Sequence, residues 1–479
     1  MPPRPDDARS ETQSLIEDAV AMVGEWERSF GERPAHPALV PDEGRFARAW
    51  EEFARRMEAN FPFFHPRFAG QMLKPPHPVA VAGYLAAMLV NPNNHSLDGG
   101  PVTSEMERET VGALAAMFHL PRGSLGHLTS SGTLANLEAL WVARELGPGR
   151  AVAYGSNAHY THARMAQVLG VRAIEIGCDP SGHIDLDELE QRCRAGDVGT
   201  VVLTAGTTGL GSLDAIDGAL AIRERYGVRI HVDAAYGGFF SLLAWDDETA
   251  PSVPATRFRA IASCDSVVVD PHKHGLQPYG CGAVLFADPG VGALYRHESP
   301  YTYFTSPELH LGEISLECSR PGAAAAALWL TLRTFPLVAR EGLGAVLAAG
   351  RRAALDLAAR LRALPDDGPL RLHLEPELDI VTYFPWRAGA SRGAISAAST
   401  RMLEAGMRAS DPVWLSTLRV DGPSFSGLHP AAAGTQGPAR DEPVTILRSV
   451  LMKPEHELWV DGLLERLTSL AETSLGSTG

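Results

Sequence analysis

The stretch Ser266-Val-Val-Val-Asp-Pro-His-Lys-His-Gly275 decides how this chain is read. A valine run closed by Asp and Pro predicts a short buried strand, which delivers Asp270, Pro271, His272 and Lys273 to the loop beyond its end, where α/β proteins keep their ligands. Lysine occurs only at Lys74, Lys273 and Lys453, so arginine supplies nearly all of the positive charge. A lysine in this place points to what arginine cannot do, which is to lose a proton and condense with a carbonyl as a Schiff base.

Outward from that strand the pattern alternates. Apolar runs at residues 201–203, 228–232 and 283–286 are separated by helical stretches at 133–146 and 214–226. Such alternation predicts βαβ units around a mostly parallel sheet. Before it, residues 10–60 carry apolar side chains at helical spacing (Leu15, Ala19, Val23, Trp26, then Phe46, Trp50, Phe53, Met57), predicting helices whose apolar faces need a partner. A helix is predicted over 78–90, a polar loop over 91–96, and a further helix from near Thr103 with Ser104 as its cap. Past residue 322 the prediction is an Ala-rich helix, a long helix at 342–364, strands at 378–383 and 444–452, and helices at 392–406 and 455–471. The Gly- and Pro-rich span 422–440 reads as a surface loop. Three units result: a helical segment 1–65, a large domain 66–335 and a smaller α+β domain 336–479.

Composition narrows the function. At 45% hydrophobic the chain can bury a large core, and its formal charge of −15 argues against nucleic acid or an anionic membrane as partner. A small molecule is expected instead. The opening Met1-Pro-Pro-Arg-Pro-Asp-Asp7 has no apolar core of a signal peptide, and the longest apolar stretches are too short to span a bilayer. Five scattered cysteines suit a reducing, cytoplasmic setting.

Three other segments carry candidate chemistry. Ile230-His-Val-Asp-Ala-Ala-Tyr-Gly-Gly238 is a buried strand ending in Asp233, and alone that carboxylate reads as a cap or a ligand group. Paired with a Schiff-base lysine, it suits the ring nitrogen of pyridoxal phosphate, which must stay protonated for the ring to accept electrons. Leu128-Thr-Ser-Ser-Gly-Thr-Leu-Ala-Asn136 offers hydroxyls and a glycine where a helix begins, a place that favours a phosphate and also ordinary capping. His159, in Ser156-Asn-Ala-His-Tyr-Thr-His162, could lie flat on a cofactor ring or serve as a core histidine.

In order and register, Ser131-Gly132-Thr133, Ala158-His159, Gly206-Thr207-Thr208, Val232-Asp233-Ala234-Ala235 and Asp270-Pro271-His272-Lys273 resemble the pyridoxal-phosphate-dependent group II amino-acid decarboxylases, over roughly residues 60–335. The resemblance implies the aspartate-aminotransferase type of α/β fold, a homodimer with sites at the interface, and conversion of an L-amino acid to an amine. It makes Lys273 the cofactor-anchoring lysine, Asp233 the partner of the ring nitrogen and His159 the stacking residue. Ser131, Gly132, Thr133 and His272 would hold the phosphate, with Thr208 and Ala235 beside the ring. Ser319 would complete the phosphate site from the neighbouring subunit. Arg448 is implied as the anchor of the substrate carboxylate, with Asn94 and His95 also facing substrate. Tyr303, or else Tyr301, would return a proton to the substrate carbon from a mobile loop. The segments at 91–94 and 317–320 resemble bacterial tyrosine-type members, and Ser319-Arg320-Pro321-Gly322 also resembles acidic-amino-acid decarboxylases. Rival readings are a carbon–carbon lyase of the same fold and a metal protein using His159-x-x-His162 and His272-x-His274.

Overall fold

The computed structural model describes residues 5–34, 36–246, 252–296, 315–432 and 442–476. Its centre is a sheet of seven strands: β1 (Leu125–Thr129), β2 (Ala151–Gly155), β3 (Ala173–Ile176), β4 (Val198–Thr204), β5 (Arg229–Asp233), β6 (Ser266–Val269) and β7 (Gly282–Phe286), in the order β1-β7-β6-β5-β4-β2-β3. The pairs from β6 through β5, β4 and β2 to β3 are parallel, and β7 runs antiparallel to both its neighbours. Strands covered on both faces need unbroken apolar runs. β6 and β7 are buried at every position. β3, at the edge, is mostly exposed, and its short Ala-Ile-Glu-Ile pattern gives little sign of a strand.

Because β4, β5 and β6 are parallel and in register, their polar last residues and the loops after them gather along one edge. Thr204 pairs with Asp233, and Asp233 with Val268, so Asp270 and Lys273 emerge beside Asp233. The helix Gly132–Leu146 follows β1 and aims its N-terminus at the same edge, its Ser131 side chain accepting from the Leu134 N–H.

A second, antiparallel sheet joins β8 (Leu370–Leu374), β9 (Ile380–Pro385), β10 (Ser416–Val420) and β11 (Val444–Val450) in the order β10-β11-β9-β8. Its core is separate and forms around Leu357, Val381, Tyr383, Met402, Leu447 and Leu467. The helix Pro5–Arg28 lies along the helix Pro78–Val90, burying Ala19 and Val23. The helix Glu43–Met57 buries none of its residues, and Phe46, Trp50, Phe53 and Met57 are exposed.

Two expectations are corrected. The helix predicted to start near Thr103 with Ser104 as its cap starts at Pro101 after Gly100, since proline is favoured at the first helical position. Thr103 and Ser104 are buried within it. The span 422–440 begins as the helix Gly422–Leu428, because Asp421 caps the Ser424 N–H and a proline follows; its remainder from 433 lies outside the described residues.

Candidate active site

A cavity of about 250 Å³ opens at the shared strand edge. It is lined by Ser131, Gly132, Thr133, His159, Thr208, Asp233, Ala235, His272 and Lys273, and also by Asn136, Tyr160, Thr161, Thr204, Gly206, Tyr236 and Asp270. Nine positions singled out in the sequence thus come from five separate segments to one wall-to-wall site. On one side stands the N-terminus of the helix Gly132–Leu146. Gly132 is required there, since a Cβ on it would come within 2.6 Å of the Asp270 carboxylate. Gly206 follows β4 at φ +93°, a left-handed conformation that lets the chain pass close to the Gly237 backbone.

The lysine sits between carboxylates. Lys273 Nζ is 3.0 Å from Asp270 Oδ2. Burial works against its charge, but Asp270 and then Asp233 outweigh burial and hold the amine above its ordinary pKa. Asp233 is ionised despite burial, kept well below the usual carboxylate range by His162 and by the Lys273 charge. Its Oδ1 accepts from the Ala235 N–H at 3.1 Å, and its Oδ2 lies 2.8 Å from His162 Nε2. His159 is pushed down by burial, and its Nδ1 lies 2.6 Å from the Thr161 hydroxyl. His272 donates Nδ1–H to the Cys281 carbonyl at 2.7 Å, which leaves Nε2 facing the cavity side at 3.4 Å from Asp270.

These residues fit pyridoxal phosphate. A helix N-terminus with two hydroxyl residues suits its phosphate, a buried carboxylate suits its ring nitrogen, an imidazole can cover its ring, and an amine can condense with its aldehyde. The buried Asp270 Oδ1 also has no hydrogen-bond partner within the protein.

Other expected residues lie elsewhere. Asn94 does not line the cavity: its amide donates to Glu107 and the Thr103 carbonyl, and its own oxygen accepts from the Thr103 hydroxyl, so it is fixed inside the fold. His95 pairs with Ser96, and Ser319 with Asn93, both away from the cavity lining. Ser319 nevertheless belongs to a segment tied to the phosphate side, for Glu317 accepts from the Ser130 N–H at 2.9 Å. Arg448 is on β11, donates to the Ser416 hydroxyl and holds the Thr208 carbonyl, at the cavity's rim. Tyr301 and Tyr303 lie outside the described residues.

The paired histidines of the metal reading diverge. His159 faces the cavity and His162 faces Asp233, while His274 turns inward toward Tyr236, Phe240 and Asp379. Among the described residues no group of three His, Cys, Asp or Glu is placed to hold a metal ion. Likewise no helix among them is long and apolar enough to cross a membrane.

Known proteins resemble the chain in sequence and in fold. The family model described as pyridoxal-dependent decarboxylase conserved domain matches residues 36–383. A probable L-tyrosine/L-aspartate decarboxylase of Methanothermobacter thermautotrophicus is 30% identical over 322 residues, covering 66% of this chain and 82% of that protein. A probable L-aspartate decarboxylase of Pyrococcus furiosus is 29% identical, covering 59% and 75%. Among solved structures, Oryza sativa TDC with PLP and tryptamine superposes with a TM-score of 0.75 at 18% identity, covering 99% of this chain and 100% of that one, a likeness of fold.

Proposed function

The chain belongs to the pyridoxal-dependent decarboxylase family, a carboxy-lyase with pyridoxal phosphate as cofactor, and on that premise we propose that it decarboxylates a free L-amino acid with a tyrosine-like side chain to the amine and CO2. The observation that carries the reading is the meeting of Lys273, Asp233, His159 and the N-terminus of the helix Gly132–Leu146 in one cavity.

When bound, pyridoxal phosphate supplies an electron-accepting ring for the pair released as the Cα–carboxylate bond breaks. The chain supplies the rest. Ser131, Thr133 and the helix N-terminus would hold the phosphate by hydroxyl and N–H donors, with His272 beside them. Asp233, kept ionised, would hold a proton at the ring nitrogen by its negative charge. His159 would cover the ring, and Thr208 and Ala235 would lie beside it. Lys273 would anchor the cofactor by its aldehyde. Arg448 binds the substrate carboxylate, and Tyr303 returns one proton to Cα after CO2 has left. We further propose that the chain works as a homodimer, with the segment of Ser319 completing the neighbour's phosphate site.

An acidic side chain is the second reading, and it is favoured by the likeness to a probable L-aspartate decarboxylase of Pyrococcus furiosus. Turnover of a panel of L-amino acids, with amines identified by mass, separates tyrosine from aspartate and glutamate. Release of an aldehyde in place of CO2 would overturn decarboxylation. Lys273→Arg keeps the charge, cannot anchor the cofactor and is expected to abolish turnover; residual decarboxylation would refute the site.

A further inference from the structure

The role of Asp233 leaves one question of geometry: what fixes a carboxylate so that it stays charged and aimed while buried. Of its two oxygens, Oδ1 is turned back to the Ala235 N–H and Oδ2 meets His162 Nε2 at 2.8 Å. Because a carboxylate only accepts, Nε2 carries the hydrogen. The other nitrogen of the ring, Nδ1, is buried without a hydrogen-bond partner, so the contact with Asp233 is the one hydrogen bond this side chain makes among the described residues.

The surroundings leave this donor no other duty. His231, the nearest buried imidazole in charge terms, is closed on itself, with Nδ1 at the Ser266 hydroxyl and Nε2 at the Asn136 side chain, both at 2.8 Å. His159 is held by Thr161 on the cavity side. His162 is the second residue of the helix Thr161–Leu169, so the turn that presents His159 to the cavity also sets His162 beside Asp233.

We propose that His162 is a positioning residue, whose Nε2–H fixes the Asp233 carboxylate toward the ring nitrogen of pyridoxal phosphate. The proposal rests on the reading of Asp233 as the partner of that nitrogen. It acts through Asp233 alone, so its effect must vanish when Asp233 can no longer carry charge.

The test is a cycle of variants in the full chain, freed of cofactor and titrated with pyridoxal 5′-phosphate by absorbance. Asp233→Asn is expected to weaken cofactor binding and to shift the bound absorption band. His162→Leu is expected to weaken binding at least tenfold in the native background and by less than twofold in the Asp233→Asn background. His162→Gln, whose amide N–H reaches the same place, should bind within about threefold of the native chain. An equal loss from His162→Leu in both backgrounds, or no loss in the native one, overturns the proposal. So does a His162→Gln variant as impaired as His162→Leu, and it keeps the test sound if the leucine variant fails to fold. If Asp233→Asn itself binds and absorbs as the native chain does, the Asp233 reading falls first and the proposal with it.

Discussion

Glu107 and Arg320 form a buried ion pair beneath the phosphate side of the cavity, and removing one partner is the sharpest test of how that side is built. Glu107 Oε1 accepts from the Leu128 N–H at 2.9 Å and Oε2 from Asn94 at 2.7 Å; Arg320 donates to Glu107, to the Leu128 carbonyl and to the Asn94 carbonyl. The pair thus ties the end of β1, just before Ser130 and Ser131, to the loops around residues 94 and 320. In Glu107→Gln the shape survives, but the arginine loses its counter-charge and an amide N–H faces the Asn94 amide. Breaking a buried pair on one side costs about 3–5 kcal/mol. With an unfolding entropy of about 2.1 cal/mol/K per residue, a chain of 479 residues changes by roughly 1 kcal/mol per kelvin near its midpoint. The expected drop in Tm is therefore about 3–5 °C, read by circular dichroism at matched pH. Adding Arg320→Met removes the guanidinium that faced Glu107, so the double variant should be less destabilised than the sum of the singles by at least about 1 kcal/mol. A Tm within 1 °C of the native chain for Glu107→Gln, or strict additivity of the two changes, would refute the account.

Capture of the cofactor aldehyde needs a neutral Lys273 amine, and since Asp270 helps raise its pKa, Asp270→Asn should speed reconstitution of cofactor-free protein at pH 7; an unchanged rate in stopped-flow absorbance would refute it. Tyr303→Phe should slow amine formation or divert product to aldehyde, as read by product analysis, and unchanged amine turnover would remove Tyr303 from the site. Acid should destabilise the fold. His231, His373 and His456 are held down to about 3 and His429 to about 4, each by burial first. Below pH 6.5 the unfolded chain takes up protons that these folded sites refuse, so stability present above 6.5 is lost toward 3, at about 1.4 kcal/mol per pH unit and site. Asp214 and Asp379, pushed up to about 6 by burial, act in the opposite sense but only below 6, and they are fewer. Tm should fall by several degrees from pH 7.5 to 5.5, and a flat profile would contradict the buried neutral state of these rings.

What the sequence made legible follows from burial. β6 announces itself because a central parallel strand is covered on both faces and Val267, Val268 and Val269 are apolar throughout, so Asp270 and Lys273 just past its end stand out; β5 carries Arg229 and His231 and is marked only by Ile230 and Val232 before Asp233. β10 does not, since its Ser-Thr-Leu-Arg-Val run has one exposed face and no neighbour close in sequence. Asn94 was placed near substrate by resemblance, but only the packed structure shows that Glu107 and Thr103 occupy its amide. His162 was hidden in plain view. In the chain it is one half of a metal-like His-x-x-His spacing, and its partner Asp233 is 71 residues away, a pairing that arises only when the helix after β2 meets the end of β5.

The scarcity of lysine has a consequence for the protein's encounter with aldehydes in solution. Lys453 is buried with its amine on the Phe68 carbonyl, and the Lys74 amine is out of reach of water. That leaves Lys273, about a fifth open, as the lysine side chain in the folded chain that a dissolved aldehyde can meet. The surface is therefore nearly silent toward such reagents. Borohydride fixation of pyridoxal phosphate to lysine should approach one label per folded chain even in cofactor excess, and the stoichiometry should rise only as unfolding uncovers the other two amines.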